Sequence, residues 1–303
     1  MSILQKFRKL FITSASTSKV PFANPASLGK AARFDERCRE VISDPVNLLI
    51  NRVPEAGYVD GAGKVILHNG NRVPLRGPGS YYGEFSDVLV INRGVHEPLE
   101  EYCFQQMLAN LSDEKPVMLE LGSYWAHYSM WLKKEHSHAI CHMVEADTAN
   151  LEAGQQNFRS NGFEGQFHQG LVGRGGLQVD AFLSEHGLSH LNILHSDIQG
   201  FEVEMLQGAA SSLAARRIDR VFVSTHSEAL HASVEAGLRS HGYVIEVSSP
   251  FDSHTTSCDG FILASAPGQQ LLLAGWTPLG RLEIARATPA QLLASVASRL
   301  PSP

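Results

Sequence analysis

At 303 residues the chain is longer than an average domain, yet within reach of one elaborated α/β domain. Its 43% hydrophobic content allows a sizeable core and excludes wholesale disorder. The net charge of -6 lacks the basic footprint expected of a nucleic-acid partner, so no nucleic acid is expected.

Cys38, Cys103, Cys141 and Cys258 are far apart, without a CxxC pair or zinc spacing. They read as reduced thiols of a cytoplasmic protein. No apolar run approaches the ~20 residues that cross a bilayer, so no integral membrane segment is expected. A homo-oligomer is left open.

Met1 to Ile12 mixes Lys6, Arg8 and Lys9 with Leu4, Phe7, Leu10 and Phe11, a pattern for a short amphipathic surface helix. Residues 13–30, rich in Ser, Ala, Pro and Gly, read as a linker. A helical pattern follows over about 31–52. Two short β segments, Lys64 to His68 and Arg72 to Leu75, flank an Asn69-Gly70 turn. Residues 1–93 thus form a mixed N-terminal extension, suited to capping the substrate side of an enzyme.

Helical spacing over Leu99 to Leu111 introduces a regular alternation. Strands are predicted at 117–121, 140–145, 166–170, 191–196, 220–224, 242–248 and 258–264. Helices fall at about 126–135, 148–160, 177–186, 201–214 and 228–240. That order specifies a Rossmann-like, doubly wound α/β sheet, mostly parallel, over residues 94–265. The link Phe251 to Ser257 is too short for a crossover, so the last strand should run antiparallel. Residues 266–303 form a tail with one predicted helix, Pro289 to Leu300.

The first core strand, Val117-Met-Leu-Glu-Leu-Gly122, enters a turn and then a helix whose free N–H groups face a ligand. A dinucleotide site would want Gly-x-Gly-x-x-Gly there. This turn has Gly122, followed by Ser123, with Glu120 two residues before it. A strand-end carboxylate suits the cationic methionine end of S-adenosylmethionine better than a diphosphate. Glu145, followed by Ala146 at the next strand end, has the position from which an acidic side chain accepts both ribose hydroxyls. Gly170 lies where the adenine edge would fall. Asp147 reads as a helix N-cap.

The next strand ends in His195-Ser-Asp197 and its neighbour in Thr225-His-Ser227, so Asp197 and His226 should face each other beyond the sheet. Two roles stay open for His226. It is a general base for a substrate hydroxyl, or it joins Asp197 and a third group, with His195 as the candidate, around a divalent cation such as Mg. Alternation places His195 on the side of Asp197. Glu202, in the first turn of the next helix, needs no role beyond favouring the helix dipole. His254 and Asp259 are candidate substrate contacts, and Tyr124 and His127 flank the cofactor turn.

The run Ser196-Asp-Ile-Gln-Gly-Phe-Glu-Val-Glu-Met-Leu-Gln-Gly208 resembles the Asp-x-x-Gly-x-Glu-x-x-x-Leu-x-Gly signature of the FkbM methyltransferases. Glu97-Pro98, Glu120-Leu-Gly122, Glu145-Ala-Asp147 with Asn157, and Asp259-Gly260 support the likeness over roughly Gly94 to Ala264. The resemblance implies a class I methyltransferase fold and methyl transfer from S-adenosylmethionine to a hydroxyl of a sugar, glycan or secondary metabolite. It carries cofactor roles to Glu120, Gly122 and Glu145 and an active-site role to Asp197. Two positions depart from the family: Ala126 replaces a second glycine, and Thr225-His-Ser227 is unusual after its strand. A small-molecule N-methyltransferase and a scaffold that has lost catalysis are the alternatives.

Overall fold

A computed structural model describes residues 34–173 and 175–300. The amphipathic segment Met1 to Ile12 and the linker 13–30 lie outside the described residues. The chain opens with helix α1 (Phe34–Ser43) and a β1–β2 hairpin (Lys64–Ile66, Arg72–Pro74). Its register pairs Ile66 with Arg72 across the expected Asn69-Gly70 turn. Helices α2 (Asp87–Ile91) and α3 (Pro98–Ala109) lead into the sheet. Pro98 starts α3 where its missing N–H costs nothing.

Seven strands then alternate with helices, as the sequence specifies. They are β3 (Val117–Leu121), β4 (Ile140–Glu145), β5 (Gln166–Gln169), β6 (Leu191–Ser196), β7 (Ile218–Thr225), β8 (Val244–Ser249) and β9 (Gly260–Ser265). Between them lie α4 (His127–Glu135), α5 (Thr148–Ser160), α6 (Val179–Glu185), α7 (Glu202–Gly208), α8 (Ala210–Ala214) and α9 (Glu228–Ser240). The single helix expected over 201–214 is two, because Ala209 leaves helical geometry at ψ 4°.

The strand order is β5-β4-β3-β6-β7-β9-β8. β9 runs antiparallel to both β7 and β8, as the short link before it requires. Order reverses between β3 and β6, and ligands of doubly wound sheets bind beyond such a point. The central strands are buried on both faces. Met118 joins one core with Phe104, Trp131 and Phe222, while its neighbour Leu119 joins the other with Leu194, Met205 and Val221.

Val65, Leu67 and Val73 of the hairpin belong to the first core, so the N-terminal segment packs on the face covered by α3 and α4. In the tail, α10 (Arg281–Ile284) precedes α11 (Pro289–Val296), which Thr288 and Gln291 cap reciprocally. α11 stops short of the predicted Leu300, and a 3-10 turn takes over at Ala297–Arg299. Among the described residues no helix is long and apolar enough to cross a membrane.

Candidate active site

Beyond the carboxyl ends of β3 to β6 lies a cavity of ≈ 350 Å³ whose walls include Gly122, Tyr124, Glu145, Gly170, Asp197 and Phe201. Sheet register builds it. Leu121 pairs with Val144 on one side and Ser196 on the other, so the next residues on each strand meet at the sheet edge.

Gly122 has φ 75°, and a Cβ there would stand 1.7 Å from the Asp197 carbonyl oxygen. Its glycine is therefore demanded by the neighbouring turn, not by a ligand alone. The Asp197 N–H completes the junction by donating to the Leu121 carbonyl at 2.8 Å. Ala126, at the variant position, adopts φ 62° with a Cβ in place, a conformation that costs an L-residue roughly 1–2 kcal/mol.

Glu145 is 9% exposed and fixed by two backbone donors. Tyr124 N–H reaches one carboxylate oxygen at 3.0 Å and Asp147 N–H the other at 2.9 Å. A carboxylate offers about four lone-pair sites, so acceptors are left for a ligand. Ala146 and Gly170 also line the cavity, and Asp147 caps α5 through the Asn150 N–H. Glu120 and Ser123 sit differently from the cofactor contacts expected of them. Both are buried, Glu120 within β3 and Ser123 in the turn, and the Ser129 N–H of α4 donates to Glu120 at 3.2 Å. Burial raises the Glu120 pKa, and the charge of His195 and the Ser129 hydrogen bond offset part of that.

Asp197 and His226 meet as the strand ends imply. His226 Nε2 lies 3.1 Å from Asp197 Oδ1 and 3.7 Å from Asp259 Oδ1, and its Nδ1 lies 2.6 Å from Glu202 Oε1. Burial disfavours the imidazolium, but hydrogen bonds to Asp197 and Glu202 and the charge of Asp259 outweigh it, raising the His226 pKa to about 10. The surrounding carboxylates therefore favour the imidazolium, which opposes a general-base role for His226 as the cluster stands.

Asp197, His226 and Asp259 have ligand atoms within 4.8 Å of one another, and this set could hold a metal ion. His195, the expected third ligand, lies elsewhere. Strand alternation ends at Ser196, so it does not carry over to Asp197. His195 is buried, with Nε2 2.7 Å from Glu100 Oε1 of α3. Asp259 takes the third place.

Glu202 is fully buried and orients His226, a stronger role than the dipole effect expected. His254 turns away from the cluster to Ser249 Oγ at 2.9 Å, and His127 is buried under the turn. Sequence reading gave Glu97 no chemistry. Burial, Glu100 and the charges of Asp197 and Asp259 push its pKa to about 8 against the pull of His96, and Tyr128 donates to it at 3.1 Å.

With this geometry in place, comparison with known proteins identifies the enzyme class. Residues 95–245 match the methyltransferase FkbM domain. The chain belongs to the FkbM methyltransferases. The doubly wound sheet is accordingly a class I methyltransferase fold. No curated protein sequence matches it significantly. Solved structures resemble it remotely. A precorrin-6y C5,15-methyltransferase from Geobacter metallireducens GS-15 shares 13% identity at TM-score 0.40, over 55% of this chain and 88% of that one. TrmK of M. capricolum, solved with S-adenosyl-homocysteine, shares 12% at TM-score 0.38, over 65% and 82%. A ribosomal protein L11 methylase from Lactobacillus delbrueckii subsp. bulgaricus shares 9% at TM-score 0.41, over 57% and 80%.

Proposed function

We propose that this FkbM methyltransferase is an S-adenosylmethionine-dependent O-methyltransferase acting on a hydroxyl of a sugar, glycan or secondary metabolite. One observation carries the reading: Asp197 belongs both to the Glu145-lined cavity and to the carboxylate–histidine cluster, so a cofactor and an acceptor hydroxyl would share one wall. The cavity falls within the volume range of small-molecule sites. Glu145 would hold the ribose diol, and Ala146 and Gly170 would border the adenine. Bound there, S-adenosylmethionine supplies an electrophilic methyl group.

The protein's own part is to bring the acceptor oxygen in line with that methyl and to lower the cost of losing the hydroxyl proton. Asp197 and Asp259 present carboxylates that can accept that hydrogen, while Glu202 fixes the ring of His226. Two carboxylates and an imidazole backed by a buried carboxylate also fit a divalent cation such as Mg, and its chemistry there would be to acidify the bound hydroxyl. The net charge of -6 favours a small acceptor over a nucleic acid.

Calorimetry with S-adenosylmethionine tests the cofactor assignment. Glu145→Ala should weaken binding roughly 10–100-fold by removing charged hydrogen bonds to the ribose. A wild-type protein that binds none of it would overturn the proposal. Chelation followed by Mg addition tests the cation: activity should fall and return, and an enzyme indifferent to chelation would remove the metal from the reading.

A further inference from the structure

On the far side of the cofactor turn lies a second histidine–carboxylate cluster that the proposed reaction does not use. His68 follows β1, Glu101 stands in the first turn of α3, and His127 is the first residue of α4. They are 1%, 0% and 2% exposed. Ligand atoms from the three lie within 4.8 Å of one another.

His127 has no hydrogen-bond partner at either ring nitrogen among the described residues, although both are buried, and neither nitrogen of His68 meets hydrogen-bond geometry despite the close Glu101. The His127 ring stacks on Trp125, with centroids 5.0 Å apart at 12°, which fixes its plane. Leaving such a group unpaired costs roughly 1–3 kcal/mol, and native proteins rarely carry that cost without a ligand or a water.

Glu101 is prepared from behind. Its Oε1 accepts the His96 and Glu97 backbone N–H groups at 2.8 and 3.0 Å and lies 2.7 Å from His96 Nδ1. Its Oε2 points the other way, 2.8 Å from His68 Nε2. A carboxylate held in this manner by outer groups is typical of a metal ligand. A separate cavity of ≈ 380 Å³, lined by Asn51, Arg52, His68, Trp131 and Glu135, reaches His68 along the outside of α4 and supplies an entry path.

We propose that His68, Glu101 and His127 bind a divalent cation of the zinc class, which fastens the N-terminal hairpin to α3 and α4. Two imidazoles and one carboxylate form a borderline-soft set that zinc accepts, with a water completing the tetrahedron. Zinc takes neutral imidazoles and an ionised carboxylate, so its affinity for this set falls in acid. The site does not depend on the proposed methyl transfer and shares no ligand with the Asp197 cluster.

The test uses the full-length, tag-free chain carrying Asp197→Asn, which disables the other cation site. After chelation and dialysis, cobalt(II) is added as a spectroscopic stand-in for zinc, and zinc affinity is measured by competition. One equivalent with the intense visible absorption of tetrahedral cobalt is expected, along with a higher melting temperature in zinc. Adding His127→Gln or His68→Gln should weaken zinc binding roughly 10–100-fold or more. Metal analysis of the untreated Asp197→Asn protein keeps the test decisive if those variants fold poorly. No tetrahedral band together with no retained metal would leave a buried water as the occupant and overturn the proposal. Zinc affinity unchanged by His127→Gln in a folded protein would overturn it equally.

Discussion

The two histidine–carboxylate clusters use the same residue types in opposite proportions. Around His226 stand Asp197, Glu202 and Asp259, three carboxylates to one imidazole. Around Glu101 stand His68, His96 and His127. Burial opposes charge in both, yet the outcomes diverge. His226 is driven to hold its proton, with a pKa of about 10, whereas His68 and His96 keep Glu101 well below the usual carboxylate range. The first cluster can carry excess negative charge because it borders a cavity, where Asp197 keeps a side-chain exposure of 33%. The second is buried in the core, its members at most 4% exposed, and must balance its charge internally. A carboxylate-rich cluster at a cavity mouth invites a cation and an acceptor, while an imidazole-rich one in the core suits a structural ion.

The largest effect expected from breaking this contrast is at Asp197, the residue shared by cavity and cluster. Asp197→Asn should lower kcat by roughly 10²–10⁴, the range for losing a group that handles the transferred proton. Affinity for S-adenosylmethionine, which the proposal assigns mainly to Glu145, should change only a few-fold. Calorimetry beside steady-state kinetics separates the two, and a variant with wild-type kcat would strip Asp197 of its role.

Glu202 comes next. Its carboxylate meets His226 and the Gly200 N–H, at 2.6 and 3.0 Å, and does not itself line the cavity. Glu202→Gln keeps the shape but removes a buried charge, and should cost roughly 10–100-fold in kcat, as for other groups that orient a functional histidine. KM for the cofactor should stay put. Equal losses in kcat and in cofactor binding would mean that the substitution had disturbed the turn as a whole.

The sheet was legible because apolar runs and their spacing fix parallel strands, and the place of Glu145 on the cavity wall followed from its position at the end of the strand after Gly122. Glu202 was misread for a local reason. A glutamate in a first helical turn already has an explanation in the dipole, and nothing nearby in sequence reports that its carboxylate reaches across to β7. His195 was misplaced because side-chain alternation holds only while the strand lasts. The second cluster was out of reach, since His68, Glu101 and His127 are joined by packing across 59 residues of chain. One signal was present: Glu100 and Glu101 sit between Leu99 and the run Tyr102-Cys-Phe104, where buried carboxylates demand partners.

Asp44 sharpens the comparison with the smallest effect, because it is a buried carboxylate without an imidazole beside it. It is 4% exposed, accepts the Val46 N–H at 2.9 Å and takes the Thr256 hydroxyl at 2.6 Å. Burial outweighs both hydrogen bonds and raises its pKa from 3.8 to about 6. A folded pKa above the unfolded one favours the fold at low pH, and that advantage disappears as pH rises from about 4 to about 6. A rise of that size bounds the change in stability at roughly 3 kcal/mol. Asp44→Asn, which is neutral throughout and keeps the acceptor for Val46, should therefore gain about 1–2 kcal/mol over wild type at pH 7.5. Near pH 4 the gain should vanish. Urea unfolding of both proteins at the two pH values checks this, and a gain of equal size at pH 4 would show that packing, not the unpaired charge, sets the difference.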